Sequence, residues 1–183
     1  MNAPILGGMS VFANQSIIRV IILVVDGVSL TTVSTALEPF QQVNSMLGED
    51  RFHIQLVSLS STDPMTSAGI PIPCHLTSTD VLAKLKLQNR PDLLILCCGH
   101  VTSPINQASA GKFVQKFARQ NVPVFALGAA CLIAAKTAMI KGGKCATHWK
   151  MISSLAEQFP ALEVQNVLYV LDGRISSCAG EFA

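Results

Sequence analysis

Ile17 to Val25 (IIRVIILVV) is almost continuously apolar and rich in β-branched side chains. A short run of that kind predicts a strand buried on both faces, as in a parallel sheet. Asp26-Gly27 ends it. From Leu30 to Leu47 the apolar residues Val33, Leu37, Phe40 and Val43 recur at helical spacing, and Pro39 inside that stretch predicts a kink or a restart. Arg51 to Ser60 alternates Phe52, Ile54 and Leu56, the mark of a strand. Met65 to Leu76 is punctuated by Pro71 and Pro73 and reads as an edge hairpin or an extended loop. A short amphipathic helix follows over Asp80 to Gln88.

The second half repeats the alternation. Asp92 to Cys98 (DLLILCC) is another buried strand, stopped at Gly99. Ile105 to Gln120 spaces Ile105, Ala108, Phe113, Val114 and Phe117 as a helix. Val122 to Leu127 is a third buried strand, and Ala129 to Ile140 a small-residue helix ended by Lys141-Gly142-Gly143. Lys150 to Phe159 is an amphipathic helix closed by Pro160. Val167 to Leu171 and Arg174 to Ser177 flank Asp172-Gly173, a strong hairpin turn signal. Strands alternating with helices imply a three-layer α/β sandwich, a mostly parallel sheet with helices on both faces. Ligands bind such sheets beyond the carboxyl ends of the strands. Three strand ends therefore carry the functional interest: Asp26 to Leu30, Gly99-His100, and Leu127 to Ala129.

Composition narrows the classes. The chain has 183 residues, half of them hydrophobic and 13% charged, which suits one domain with a buried core and excludes a disordered chain. The domain is expected over 17–183, after a flexible Gly-, Pro- and Asn-containing leader over 1–16. Thirteen basic against eleven acidic residues leave a net charge of +2, no electrostatic footprint for nucleic acid. Lys112, Lys116 and Arg119 read as a solvated helix face. The longest apolar run, Val122 to Ala135, contains Pro123 and Gly128 and falls short of the about 20 residues a membrane span needs. The leader has no Lys or Arg and so lacks the positive start of a signal peptide.

The six cysteines (Cys74, Cys97, Cys98, Cys131, Cys145, Cys178) contain no Cys-x-x-Cys pair. Four of them lie in or beside apolar runs, as buried free thiols do in a reducing cytoplasm. His53, His75, His100 and His148 are too scattered for a metal cluster by spacing. No metal or cofactor is expected.

The segment VPVFALGAACLIAAKTAMI runs a strand straight into a helix through Gly128, Ala129 and Ala130. In hydrolase-type folds a nucleophile occupies such a sharp turn, and the backbone N–H groups that follow stabilise negative charge. Here the sequence resembles the class I glutamine amidotransferase-like fold of the PfpI superfamily, and within it the N-terminal sensor domains of AraC-type transcriptional regulators. The resemblance rests on VDGVSLTTVSTALEPFQQVN (25–44), FHIQLVSLS (52–60), DLLILCCGH (92–100), IKGGKCATHWKMISSLAEQFP (140–160) and LYVLDGRISSCAGEFA (168–183). The Gly-Lys-Cys-Ala-Thr-His-Trp run is its most specific part.

Enzymes of that superfamily carry a Cys at the turn and an acidic residue after the first strand. The resemblance places Gly128 and Thr32 at those positions, so it implies a domain that keeps the turn and loses the chemistry, with His148 as a hydrogen-bonding wall. It further implies an effector of the amino acid, betaine or carnitine class. Gly99, His100, Gly128 and Ala129 would hold its carboxylate, and Glu38 or Trp149 its cationic end. A homodimer is implied, as is DNA contact through a helix-turn-helix part further along the polypeptide. Two other readings stand beside this one: a hydrolase, hydratase or glyoxalase using Cys131 as a displaced nucleophile, and an interaction module with an empty pocket.

Overall fold

A computed structural model describes residues 17–60, 63–84, 90–99, 103–137, 140, 143–173 and 175–180. The strands are β1 (Ile18–Val24), β2 (Phe52–Ser58), β3 (Leu76–Thr77), β4 (Leu93–Cys98), β5 (Val124–Gly128), β6 (Lys144–Ala146), β7 (Glu163–Gln165), β8 (Tyr169–Asp172) and β9 (Ile175–Cys178). The helices are α1 (Leu30–Leu47), α2 (Ser78–Lys84), α3 (Pro104–Ala118), α4 (Ala130–Lys136) and α5 (Ile152–Gln158), the last entered through a 3₁₀ turn at Trp149–Met151. Seven strands form one sheet in the order β3-β2-β1-β4-β5-β9-β8. All neighbours are parallel except β8, which runs antiparallel to β9. This is the expected α/β sandwich with a mostly parallel sheet.

Burial follows the register. Val24 of β1 lies beside Cys97 of β4, and both are fully buried. On this face the even residues of β1 pack with Val33 and Ala36 of α1. On the other face Ile21, Leu23, Leu94 and Leu96 pack with Phe113, Val114 and Phe117 of α3 and with Ala130, Ile133 and Ala134 of α4. A third, smaller cluster joins Cys131 and Ala135 of α4 to Cys145, Leu155 and Leu162. No helix among the described residues is long and apolar enough to cross a membrane.

Several elements differ from the sequence expectation. Helix α1 runs unbroken through Pro39. Phe40 beyond the proline stacks on Phe52 with ring centroids 5.0 Å apart. One turn later the Asn44 amide brackets the Phe52 backbone at 2.8 Å on both sides. With Val33 and Ala36 packed on the sheet before Pro39 and these contacts after it, tertiary anchors hold the helix against the local penalty. Helix α4 ends at Lys136 rather than at Ile140, because the Thr137 hydroxyl turns back onto the Ala134 carbonyl at 2.7 Å. The hairpin turn sits one residue later than expected. Asp172 is still in the ladder, paired with Ile175, and Gly173 takes the positive φ of 60°. The two-stranded parallel sheet of β6 and β7 was not expected. The leader and the end of the helix expected to Gln88 lie outside the described residues.

Candidate functional site

The chain order reverses between β1 and β4: connections from β1 lead to one side of the sheet, those from β4 to the other. Such a switch point opens a crevice at the carboxyl ends of the strands. A cavity of about 350 Å³ lies there. Gly27 and Ser29 line it from the turn after β1, and Thr32 from the first turn of α1. Cys98 and Gly99 line it from the end of β4, Leu127, Gly128 and Ala129 from the end of β5. Ser67, His148 and Gly180 complete the wall. No Asp, Glu, Lys or Arg is among these residues.

Local chemistry sets each wall. The Ser29 side chain caps α1 by accepting the Thr31 N–H at 3.2 Å, which fixes where Thr32 enters the helix. Two backbone hydrogen bonds, from Gly27 N to Met65 O at 2.8 Å and from Ser67 N to Val28 O at 2.9 Å, stitch the Pro-rich segment to the turn after β1. That stitch delivers Ser67. Gly99 packs so closely on the Gly27 carbonyl that a Cβ there would overlap it. Gly128 holds φ at 60° while Ala129 is already right-handed helical at −67°. The chain therefore reverses sharply at the strand tip, as a left-handed glycine allows.

His148 precedes the 3₁₀ turn, and its Nδ1 accepts the Lys150 N–H at 3.3 Å. An accepting Nδ1 leaves the proton of the neutral ring on Nε2. The residue before it, Thr147, is buried and donates its hydroxyl to the Gly128 carbonyl at 3.1 Å.

The cavity brings together Thr32, Gly99, Gly128, Ala129 and His148. Glu38 and Trp149 do not line it. Glu38 is exposed on α1. Trp149 is 69% exposed, with Lys150 Nζ 5.2 Å from its ring centroid. His100 lies outside the described residues. Cys131 is fully buried behind the turn. A hydrogen bond with Cys145 and burial push its thiol up, away from the thiolate a nucleophile needs. The thiol that reaches the cavity is Cys98, directly beside Gly128 in the β4–β5 register. The sequence pattern marks the β4 tip and predicts Cys98 as a buried core thiol. The alternation that puts Cys97 against α1 and Cys98 on the opposite face was the available signal. Ser67 and Gly180 had no local signal, since long-range contacts bring them in.

HTH-type transcriptional regulator GlxA of Rhizobium meliloti (strain 1021) is 20% identical over 172 residues, covering 93% of this chain and 51% of its own length. HTH-type transcriptional regulator GbdR of Pseudomonas aeruginosa is 25% identical over 161 residues, covering 86% of this chain and 41% of its own length. The chain thus spans about half the length of the curated relatives it matches. Among solved structures, an AraC family transcriptional regulator from Pseudomonas putida superposes with a TM-score of 0.76 at 20% identity, over 90% of this chain and 85% of that one. The DJ-1/PfpI family model matches residues 18–181, and the chain belongs to that family.

Proposed function

We propose that this chain is the non-catalytic sensing domain of an AraC-type transcriptional regulator, binding a small nitrogenous metabolite in the cavity at Gly128. One observation carries the reading: the turn keeps its sharp backbone while the residue at its tip has no side chain. The relatives that are HTH-type regulators support it. The Ser29, Thr32 and Ser67 hydroxyls, the His148 ring and the backbone at Gly128-Ala129 suit a carboxylate or another polar acceptor-donor head. In a protein of regulator length, DNA would be contacted by a part outside these 183 residues, in a cytoplasmic homodimer. Ligand binding would favour one arrangement of that dimer through its differential affinity for the two states.

A thermal-shift screen of amino acids, betaines and acylated amines tests the proposal. A true effector at about 100 times its dissociation constant adds roughly 2.7 kcal/mol to stability. No shift from any compound class favours an interaction module with an empty cavity. Turnover of a carbonyl substrate by the purified chain overturns the non-catalytic reading.

A further inference from the structure

Charge is unevenly placed along the chain. Between Asp92 and Glu157 there is no Asp or Glu, while seven Lys and Arg stand in that stretch. The fold gathers part of this charge into an open groove of about 330 Å³ between α3 and the end of α4. Gln107, Gly111, Lys112 and Gln115 line it from α3, Lys136 and Thr137 from the end of α4. None of these residues lines the cavity at Gly128.

Three local contacts build the groove. At Gly111 the helices come close, and a Cβ there would lie 3.0 Å from the Thr137 methyl carbon. Gln115 Nε2 donates to the Thr137 carbonyl at 3.3 Å. Lys136 Nζ donates to Gln107 Oε1 at 2.5 Å, which holds that ammonium against α3. Lys112 follows Gln107 by five residues, roughly 140° further round the helix axis, so cations stand on both flanks of the lined face. Both lysines are exposed. Neither meets a carboxylate, since the one ion pair among the described residues joins Lys144 to Glu163. A cation at the C-terminus of α4 suits the helix dipole. Lys112 lies in the middle of α3, where the dipole offers it nothing.

We propose that this groove is a second ligand site, taking a small molecule that carries a phosphate monoester. A concave surface lined by one sign of charge focuses its field and concentrates counter-ions there. The donors suit an anion with several oxygens. An ammonium has three N–H groups and an amide nitrogen two, so the Lys136 and Gln115 groups keep donors for a ligand after their bonds to Gln107 and Thr137. Lys112 adds a second point charge, the form in which lysine binds phosphate. A single carboxylate would balance one of the two ammonium groups. A phosphate monoester, with a charge of about −1.5 to −2 at pH 7, balances both.

The probe is inorganic phosphate, titrated into the isotope-labelled chain at fixed ionic strength and followed by amide NMR, with sodium chloride as the counter-titration. The expected result is a saturable shift at Gly111, Lys112, Lys136 and Thr137 and none at Gly128 or Ala129. Lys112→Gln and Lys136→Gln should each weaken the fitted affinity by about fivefold, the upper end for one exposed ion pair. Both are surface changes that leave the fold in place. Lys116→Gln, one turn further along α3 and off the groove, should leave the affinity unchanged. Shifts that stay linear and follow every exposed lysine overturn the proposal, as does a lack of any loss in the Lys112 and Lys136 variants. Shifts centred on Gly128 put the anion in the sensing cavity and overturn it too. Binding of a mixed-sequence DNA duplex that Lys116→Gln and Arg119→Gln weaken as much as Lys112→Gln would make the charge a diffuse basic face, and would overturn the small-ligand site.

Discussion

The buried hydroxyl of Thr147 donates to the carbonyl oxygen of Gly128 at 3.1 Å, and this one bond joins the sharp turn of the cavity to the segment bearing His148. The Gly128 carbonyl closes the β5 strand, where the left-handed glycine turns the chain away from its ladder. Thr147→Val keeps the shape and removes the donor. A buried acceptor left without a partner costs about 1–3 kcal/mol. The unfolding free energy from urea titration should fall by that amount with the slope unchanged, so the midpoint drops, and Thr147→Ser should recover most of it.

Gly128→Cys tests how much of the reactive turn survives. A Cβ at this position has 3.8 Å to the Gly180 Cα, an ordinary contact. The penalty is therefore the left-handed backbone alone, about 1–2 kcal/mol. The variant should fold, and iodoacetamide should label the introduced thiol faster than Cys131, which is fully buried. Labelling no faster than at Cys131 would mean that the turn does not open into the cavity.

Gly99 behaves differently, although it stands across the same cavity. A Cβ there would overlap the Gly27 backbone, which cannot swing aside as a side chain can. Gly99→Ala should force the tip of β4 away from β1 and destabilise the fold by more than about 4 kcal/mol. Gly48→Ala is the control. Its φ is 65° and nothing lies within 4 Å, so only the left-handed backbone term of about 1–2 kcal/mol remains. Parallel thermal melts of the two variants check the contrast.

Cys74 gives the alkaline limb of stability a residue-level contribution. Burial first, then the Asp63 carboxylate, raises its thiol from the ordinary 9.0 to about 11. The same carboxylate accepts the Cys74 N–H at 3.1 Å. Below pH 9 both folded and unfolded forms keep the proton. Between pH 9 and 11 the unfolded chain loses it first, so stability falls with pH through that window. Cys74→Ser should flatten this part of the stability profile and leave the neutral part in place, as urea titrations at stepped pH will show.

The frame of the molecule can be read from its pattern of apolar residues, because long buried runs such as Ile17 to Val25 have few other folds open to them. The strand-end rule carries further. The turns at Asp26 to Leu30, at Gly99 and at Leu127 to Ala129 all meet at one cavity. What escaped the sequence is set by distance along the chain. Ser67 reaches the cavity only because its segment is hydrogen-bonded to the turn after β1. The strands β6 and β7 are three residues each, too short for any alternation to show. Glu38 and Trp149 had suitable chemistry for a cationic ligand, but helix α1 and the 3₁₀ turn leave both exposed, off the cavity wall.

The sheet register leads to a last prediction. Ile22, Ile95, Phe125, Ser176 and Leu171 form one row across β1, β4, β5, β9 and β8 on the α1 face. Ile22 and Ile95 lie under α1 at 0% and 3% exposure, Phe125 is half-buried, and Leu171 is 52% exposed. The neighbouring row ends likewise on Tyr169, 61% exposed. Helix α1 therefore covers the β1–β4 half of this face, and in the isolated chain the β8 end of the row contributes little to the core. Leu171→Ser should move stability by no more than about 0.5 kcal/mol. Ile95→Ser on the same row loses a buried aliphatic group and buries a hydroxyl, and should cost at least about 3 kcal/mol. Urea midpoints of the two variants separate the cases. A large loss from Leu171→Ser would mean that something packs on the β8 half of the sheet in solution.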